Sequence, residues 1–289
     1  MEEKLRIISL APSVTETTFA LNRQHLLVGT TDFCNFPDEA RRWPKIGGFA
    51  TPDLEAIIRI KPDVVVATDL HNADKLDLIR QQGIRVERVT AQKLTDSPKT
   101  IRQTGQILNC EPEAGRLAQT VESGLNCLFE LAEKVPKIRV CYFCTFEPCC
   151  SWKKKCQTNL LIKLAGGTHI PVDPERMAES IAESDPEIII VPKTSYSNEW
   201  KTLGGLLQED EILRNLKAVR ENKVYFLDGE LLSRPGPRAV EGFVNLLRII
   251  HPELEPGIER QHEETGEMIK KTVGMECWKA ITNNIPKSQ

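Results

Sequence analysis

No stretch of this 289-residue chain is long and apolar enough to span a bilayer; its longest aliphatic runs, such as Val64–Ala67 and Ile188–Val191, are strand-sized. A secretory leader is missing from the start, since Met1-Glu2-Glu3-Lys4 has neither a basic opening nor an apolar stretch behind it. The expectation is a cytoplasmic protein, or an extracytoplasmic one whose leader was removed ahead of this numbering. Positive charge is not in surplus either. A net charge of −3 gives no general attraction to nucleic acid or to an anionic membrane, and neither nucleic-acid binding nor membrane insertion is expected. Signatures of catalysis are also lacking: there is no Walker loop, nucleophile elbow, His-Glu-x-x-His helix or dinucleotide fingerprint. An enzyme is therefore not expected. Zinc-ribbon cysteine spacing is absent, which argues against structural zinc.

What is present suits a soluble globular chain, 40% hydrophobic and 27% charged. Its length suits two lobes of ordinary domain size. Nine cysteines are an odd number, so a complete internal disulfide framework is impossible in the monomer that is expected. A reducing compartment follows as the expectation.

The order of elements reads as a doubled α/β plan. Leu5–Leu10 is a strand that breaks at Ala11-Pro12. Ser13 and Glu16, three apart, read as a capping box opening the next helix. Thr51 reads as the cap of another helix with Pro52 at its first position. That helix stops at Lys61-Pro62-Asp63 and feeds the strand Val64–Ala67. Ala73–Gln82 is a helix ended by Gly83, and Ile84–Val89 a further strand. In the second half Ile138–Phe143 answers Leu5–Leu10, the Pro186-Glu187 junction before Ile188–Val191 answers Pro62-Asp63, and Lys223–Leu227 answers Ile84–Val89. Between the halves, Leu117, Val121, Leu125, Leu128 and Leu131 recur at helical spacing. The expected fold is α/β: two Rossmann-like lobes with parallel sheets, joined by one long backbone helix. The boundaries are 1–110 for the N-terminal lobe, 111–135 for the connecting helix, 136–254 for the C-terminal lobe and 255–289 for a tail, with a short helix over Glu263–Val273. A single doubly wound domain is the alternative.

Several ordered blocks carry a resemblance: "RIISLAPSVTETTFAL", "LLVGTTDFCNFPDEARRWPKIGGFATPDLEAIIRIKPDVVVA", "LIKLAGGTHI" and "LLSRPGPRAVEGFVNLLRIIHPEL". Over residues 5–254 the chain resembles the helical-backbone (class III) periplasmic-type substrate-binding proteins of ABC importers. These are receptors for cobalamin, haem, siderophore-bound iron and related metal chelates, and the likeness is strongest to the cobalamin branch. The resemblance implies two lobes, a rigid connecting helix and a ligand in the crevice between them. No obligatory cofactor is implied; a corrinoid, haem or iron chelate is the ligand. An ABC permease is the implied partner, docked by one acidic side chain on each lobe. Asp74 stands near the first such position. Ser233 occupies the second, where Glu230 or Glu241 would have to substitute.

Candidate ligand contacts come from loops at the carboxyl ends of strands. In the first lobe they are Ser13, Phe33, Cys34, Phe49 and His71. Phe33 and Phe49 match places where cobalamin-type receptors present aromatic rings, whereas Thr68 and Leu231 stand where two receptor tryptophans would be. Phe33 is equally readable as a core residue. His71 is a candidate iron or cobalt ligand or an ordinary surface histidine. In the second lobe Trp152 and Trp200 offer stacking surfaces, and Arg234 suits an anionic ligand group. Arg238, beyond Pro235-Gly236-Pro237, is expected to tie that turn to its lobe by hydrogen bonds.

Five cysteines crowd one segment: Cys141, Cys144, Cys149, Cys150 and Cys156. Cys141 and Cys144 point to opposite faces if Ile138–Phe146 is a strand. Cys149, Cys150 and Cys156, beside Lys153, Lys154 and Lys155, are candidate ligands for a soft metal or an iron–sulfur cluster. A redox disulfide, or a set of free thiols and small hydrophobes, are the other readings. Two functions follow. The first is a solute-binding protein that captures a corrinoid, haem-like molecule or ferric chelate, for uptake or intracellular handling. The alternative is a cysteine-ligated metal or iron–sulfur redox protein reusing the fold.

Overall fold

Each aliphatic run that follows a Pro-acid pair becomes an inner strand of a four-stranded parallel sheet. The structure, a computed structural model, describes residues 5–143, 157–173, 175–195 and 198–273. Its first sheet and flanking helices follow the order β1 (Ile7–Ser9), α1 (Pro12–Ala20), β2 (Leu27–Thr30), α2 (Leu54–Ile60), β3 (Val64–Thr68), α3 (Ala73–Arg80), β4 (Arg85–Val89) and α4 (Ser97–Ile107). The long helix α5 (Glu111–Glu133) comes next. It leads to β5 (Ile138–Tyr142), α6 (Gln157–Leu164), β6 (Gly167–His169), α7 (Met177–Ser184), β7 (Ile188–Lys193), α8 (Glu199–Glu209), α9 (Lys217–Arg220) and β8 (Val224–Asp228). The helices α10 (Gly229–Ser233), α11 (Ala239–Ile250) and α12 (Glu255–Val273) complete the described chain.

The strand orders are β2-β1-β3-β4 and β6-β5-β7-β8, the same arrangement twice. The architecture is α/β with two parallel sheets, as the doubled plan predicts. The chain divides into two compact units. Unit 1 is Met1–Ser123 with Arg234–Ala239 and Glu264–Gln289; unit 2 is Gly124–Ser233 with Val240–Glu263. Each has its own apolar core. Ile8, Leu10, Ile57, Val65 and Ala67 belong to the first, and Cys141, Ile181, Ile189, Val191 and Leu213 to the second. The inner strands β3 and β7 are buried on both faces over most of their length, which is why they read as unbroken aliphatic runs.

The duplication reaches individual hydrogen bonds. The helices before β3 and β7 both end on a left-handed residue, Lys61 and Asp185, ahead of the proline. The following acids reach back to the first strand of their sheet. Asp63 Oδ2 accepts the Arg6 backbone N–H at 2.7 Å, and Glu187 Oε2 that of Arg139 at 3.0 Å. The two arginines then donate Nε to the carbonyls of Lys61 (3.2 Å) and Asp185 (2.9 Å). The acid after the proline is thus a latch between crossover and strand.

Three local expectations are corrected. Helix α1 starts at Pro12 with Ala11 as its extended N-cap, so Ser13 and Glu16 form no capping box. Helix α2 is capped by Asp53, whose side chain accepts the Ala56 N–H at 3.0 Å. Thr51 and Pro52 lie ahead of it, and Pro52 pairs with Gly47 in an isolated antiparallel bridge. The helix expected over Glu263–Val273 starts earlier, at Glu255. Helix α5 has the predicted apolar face, with Leu117, Val121, Leu125 and Leu128 buried. It meets α4 where Gly105 removes a side chain: a Cβ there would stand 2.1 Å from Ala114 Cβ.

Candidate functional site

The loops leaving the carboxyl ends of β1, β2 and β3 gather most of the first-lobe candidates in unit 1. Beyond β2 the chain turns through Thr31–Phe36, whose shape is held from several directions. Lys45 Nζ donates to Thr30 Oγ1 (3.0 Å) and to the carbonyls of Thr31 (3.2 Å), Cys34 (3.1 Å) and Ala40 (3.2 Å). Cys34 faces inward, 1% exposed, its sulfur accepting from Thr15 Oγ1 at 3.1 Å and lying 3.2 Å from Thr31 Oγ1. Burial pushes its thiol pKa up. It stays a neutral thiol, which is a poor metal ligand.

A buried ionic cluster holds the same loop from the other side. Glu16, in α1, accepts Arg238 Nη2 at 2.8 Å and Arg234 Nη1 at 3.1 Å on Oε1, and Arg238 Nε at 3.0 Å on Oε2. Arg234 also donates to Asn35 Oδ1 (2.7 Å) and to the Phe33 carbonyl (3.1 Å). The Arg238 guanidinium lies 3.7 Å from the centroid of the Phe36 ring. All three charged residues are buried. Both guanidiniums converge on one carboxylate, and they also contact neutral oxygens and a ring face. Arg234 is thereby a positioning group for the Phe33 backbone, and Arg238 fastens its turn to Glu16 of α1 rather than to the C-terminal lobe expected from the sequence. Ser13 is 3% exposed, with its backbone and Cβ packed near Gly236 of that turn.

Phe33 and Phe49 are half-buried, and Gly48, next to Phe49 in the chain, lies close to the Phe33 ring. A Cβ on that glycine would lie 3.4 Å from the Phe33 ring. The Phe49 ring stands 4.1 Å from the imidazole of His71, tilted by 45°. His71 is 7% exposed rather than a loop histidine in open solvent. Its Nδ1 accepts the Thr68 N–H at 3.0 Å, and its Nε2 lies 3.2 Å from the Leu10 carbonyl, which assigns the proton to Nε2. Burial lowers its pKa, so the ring is neutral. Both nitrogens are engaged with unit 1 itself. Phe33, Phe49 and His71 therefore form an aromatic surface on a rigid base.

Of the remaining candidates, Cys141 lies on β5 in the unit 2 core with its pKa raised by burial to about 12. Trp200 falls in the first turn of α8. Trp152, Cys144, Cys149, Cys150 and Cys156 lie outside the described residues. Among the described residues no group of three or more His, Cys, Asp or Glu is arranged to hold a metal. Asp74 is exposed in the first turn of α3, behind the Asn72 cap. Glu230 is buried in unit 2, its carboxylate accepting the Ser195 N–H at 3.0 Å and the Ser195 hydroxyl. Sequence reasoning missed Glu16, Asn35 and Lys45. Glu16 carried a signal, an acid three residues after a serine, but helix capping explained it equally well.

Residues 7–147 match the family model described as periplasmic binding protein. The vitamin B12-binding protein of Vibrio parahaemolyticus is 24% identical over 83% of this chain and 87% of its own. An uncharacterized ABC transporter substrate-binding lipoprotein of Bacillus subtilis is 26% identical over 87% of this chain and 82% of its own. Among solved structures, a periplasmic haem-binding protein from Roseiflexus sp. RS-1 superposes with a TM-score of 0.74 at 21% identity, covering 86% of this chain and 99% of that one. The periplasmic vitamin B12-binding protein of Vibrio cholerae gives 0.66 at 23%, covering 85% and 96%. Residues 7–147 thus match the periplasmic binding protein model, and the chain is similar to these binding proteins over most of its remaining length.

Proposed function

We propose that this chain is the solute-binding component of an ABC importer and captures a corrinoid, a haem-like molecule or a ferric chelate without transforming it. The observation that carries the reading is the aromatic surface of unit 1. Phe33 and Phe49 are half-buried rings in the segment that follows β2, with Phe49 against the neutral His71 that follows β3. Flat macrocycles gain from such rings through stacking and apolar burial. Relatives named as vitamin B12-binding, haem-binding and ABC transporter substrate-binding proteins support the same class of cargo, a permease partner and an extracytoplasmic place of work. No helix among the described residues is long and apolar enough to cross a membrane. Asp74, exposed on α3, is the side chain proposed to meet the permease from unit 1. Glu230 is a weaker choice for unit 2 because Ser195 already occupies its carboxylate. The cysteine-ligated cluster has no supporting observation among the described residues or the relatives.

The test is a visible-absorbance titration of the purified full chain with dicyanocobinamide, cyanocobalamin, haemin and a ferric chelate. Saturable one-to-one binding of at least one is expected. Phe33→Ala and Phe49→Ala should each weaken it by roughly 0.5–1.5 kcal/mol, about two- to twelvefold. Absence of binding to all four would overturn the proposal.

A further inference from the structure

Unit 1 carries a second concavity at the opposite end of its sheet, where the strands begin. Arg6 stands just ahead of β1, Leu27 and Val28 open β2, and Ile60 closes α2 ahead of β3; all four line it. The cavity measures about 870 Å³ and opens widely to solvent. Small-molecule sites run to about 300–1,000 Å³. The aromatic surface lies beyond the carboxyl ends of the same strands, so the two sites are separate.

The lining is cationic. Arg6, Arg42 and Arg59 face one carboxylate, Glu39, so three positive charges less one negative leave +2. Arg6 is immobilised, with Nη2 on the Ile60 carbonyl at 2.7 Å and Nε on that of Lys61. Arg42 and Arg59 have no side-chain hydrogen bond or ion pair with any described residue. Their neighbour Arg41, by contrast, reaches Asp38 at 3.5 Å. The wall between them is set by Trp43. Its indole N–H donates to the Leu27 carbonyl at 2.8 Å, and its ring meets Phe19 edge-on at 5.3 Å.

These features share one complement. Two open guanidiniums call for acidic groups, which they bind through paired, charge-assisted hydrogen bonds. We propose that this cavity binds a small polyanion, a polycarboxylate or a sugar phosphate, with its acidic groups on Arg42 and Arg59. The site does not depend on the cargo reading, and its failure would leave that reading intact.

The full chain, free of other ligands, is titrated calorimetrically at low ionic strength with citrate and with glucose 6-phosphate, which separate the carboxylate from the phosphate source. Saturable one-to-one binding of citrate or glucose 6-phosphate is expected. It should weaken at least about tenfold in the double variant Arg42→Gln/Arg59→Gln and persist in Arg41→Gln. Both arginines are exposed, and an unchanged thermal midpoint will confirm that the double variant folds. No saturable binding of either anion, undiminished binding in the double variant, or equal loss in Arg41→Gln would each overturn the site.

Discussion

Glu16 shows how one side chain can carry a local environment. Its two oxygens neutralise guanidiniums from a segment more than two hundred residues away in sequence, and one of those guanidiniums holds the Phe33 carbonyl. Replacing it by glutamine removes the carboxylate that both buried guanidiniums share. The expected cost is about 3–5 kcal/mol, read as a shift in the denaturant midpoint; a cost near zero would mean that water reaches the cluster. His169 is a second single-residue case. Its Nε2 is buried without a hydrogen-bond partner, and burial lowers its pKa from 6.5 to about 4. The unfolded chain takes up a proton that the folded chain refuses between these values. Stability is therefore complete above about pH 6.5 and declines as the pH falls towards 4, by roughly 2–3 kcal/mol in total. His169→Asn should flatten that part of the profile. His71 and His262, also shifted down by burial, are common to both proteins and cancel in the comparison. Identical acid profiles would reject the assignment.

At the scale of elements, two glycines of neighbouring helices separate close packing from helix propensity. A methyl group on Gly105 would collide with Ala114 Cβ, whereas one on Gly115 would meet nothing within 4 Å. Gly105→Ala should destabilise by about 1–3 kcal/mol through overpacking. Gly115→Ala should stabilise by up to about 1 kcal/mol, because alanine loses less backbone freedom in α5. Equal effects on thermal midpoints would show that α4 and α5 are not in contact at Gly105. The start of α2 offers a parallel test. Asp53→Ala should cost about 1 kcal/mol as loss of an N-cap, and Thr51→Ala distinctly less, since Thr51 lies outside the helix.

For the whole molecule, two sheets of identical strand order, each with its own core, lead to the prediction that the fold holds without a bound metal. Chelation by EDTA should leave the thermal midpoint unchanged. A fall on chelation would point instead to a resident metal, with Cys149, Cys150 and Cys156 the first residues to substitute. The cargo, binding only the folded state, should raise stability by about 2.7 kcal/mol at a hundredfold excess over Kd.

The sequence alone determined the doubled α/β plan, because buried parallel strands and amphipathic helices write their surroundings into the order of their own residues. Val64–Ala67 and Ile188–Val191 could be inner strands and little else, and the face of α5 was legible from five spaced aliphatics. It also put Phe33 and Phe49 forward as candidate ligand contacts, through kinship rather than pattern. Only the tertiary structure decided which polar residues serve the site. Whether Glu16 caps a helix or meets two arginines depends on a partner at positions 234 and 238, and no local pattern specifies that distance. The same holds for His71, whose ring nitrogens are committed to backbone groups of Thr68 and Leu10 that adjoin only once β1 and β3 lie side by side. Local periodicity reports how much of a residue is buried; hydrogen-bond and ion partners are set by the folded arrangement of strands that are remote in sequence.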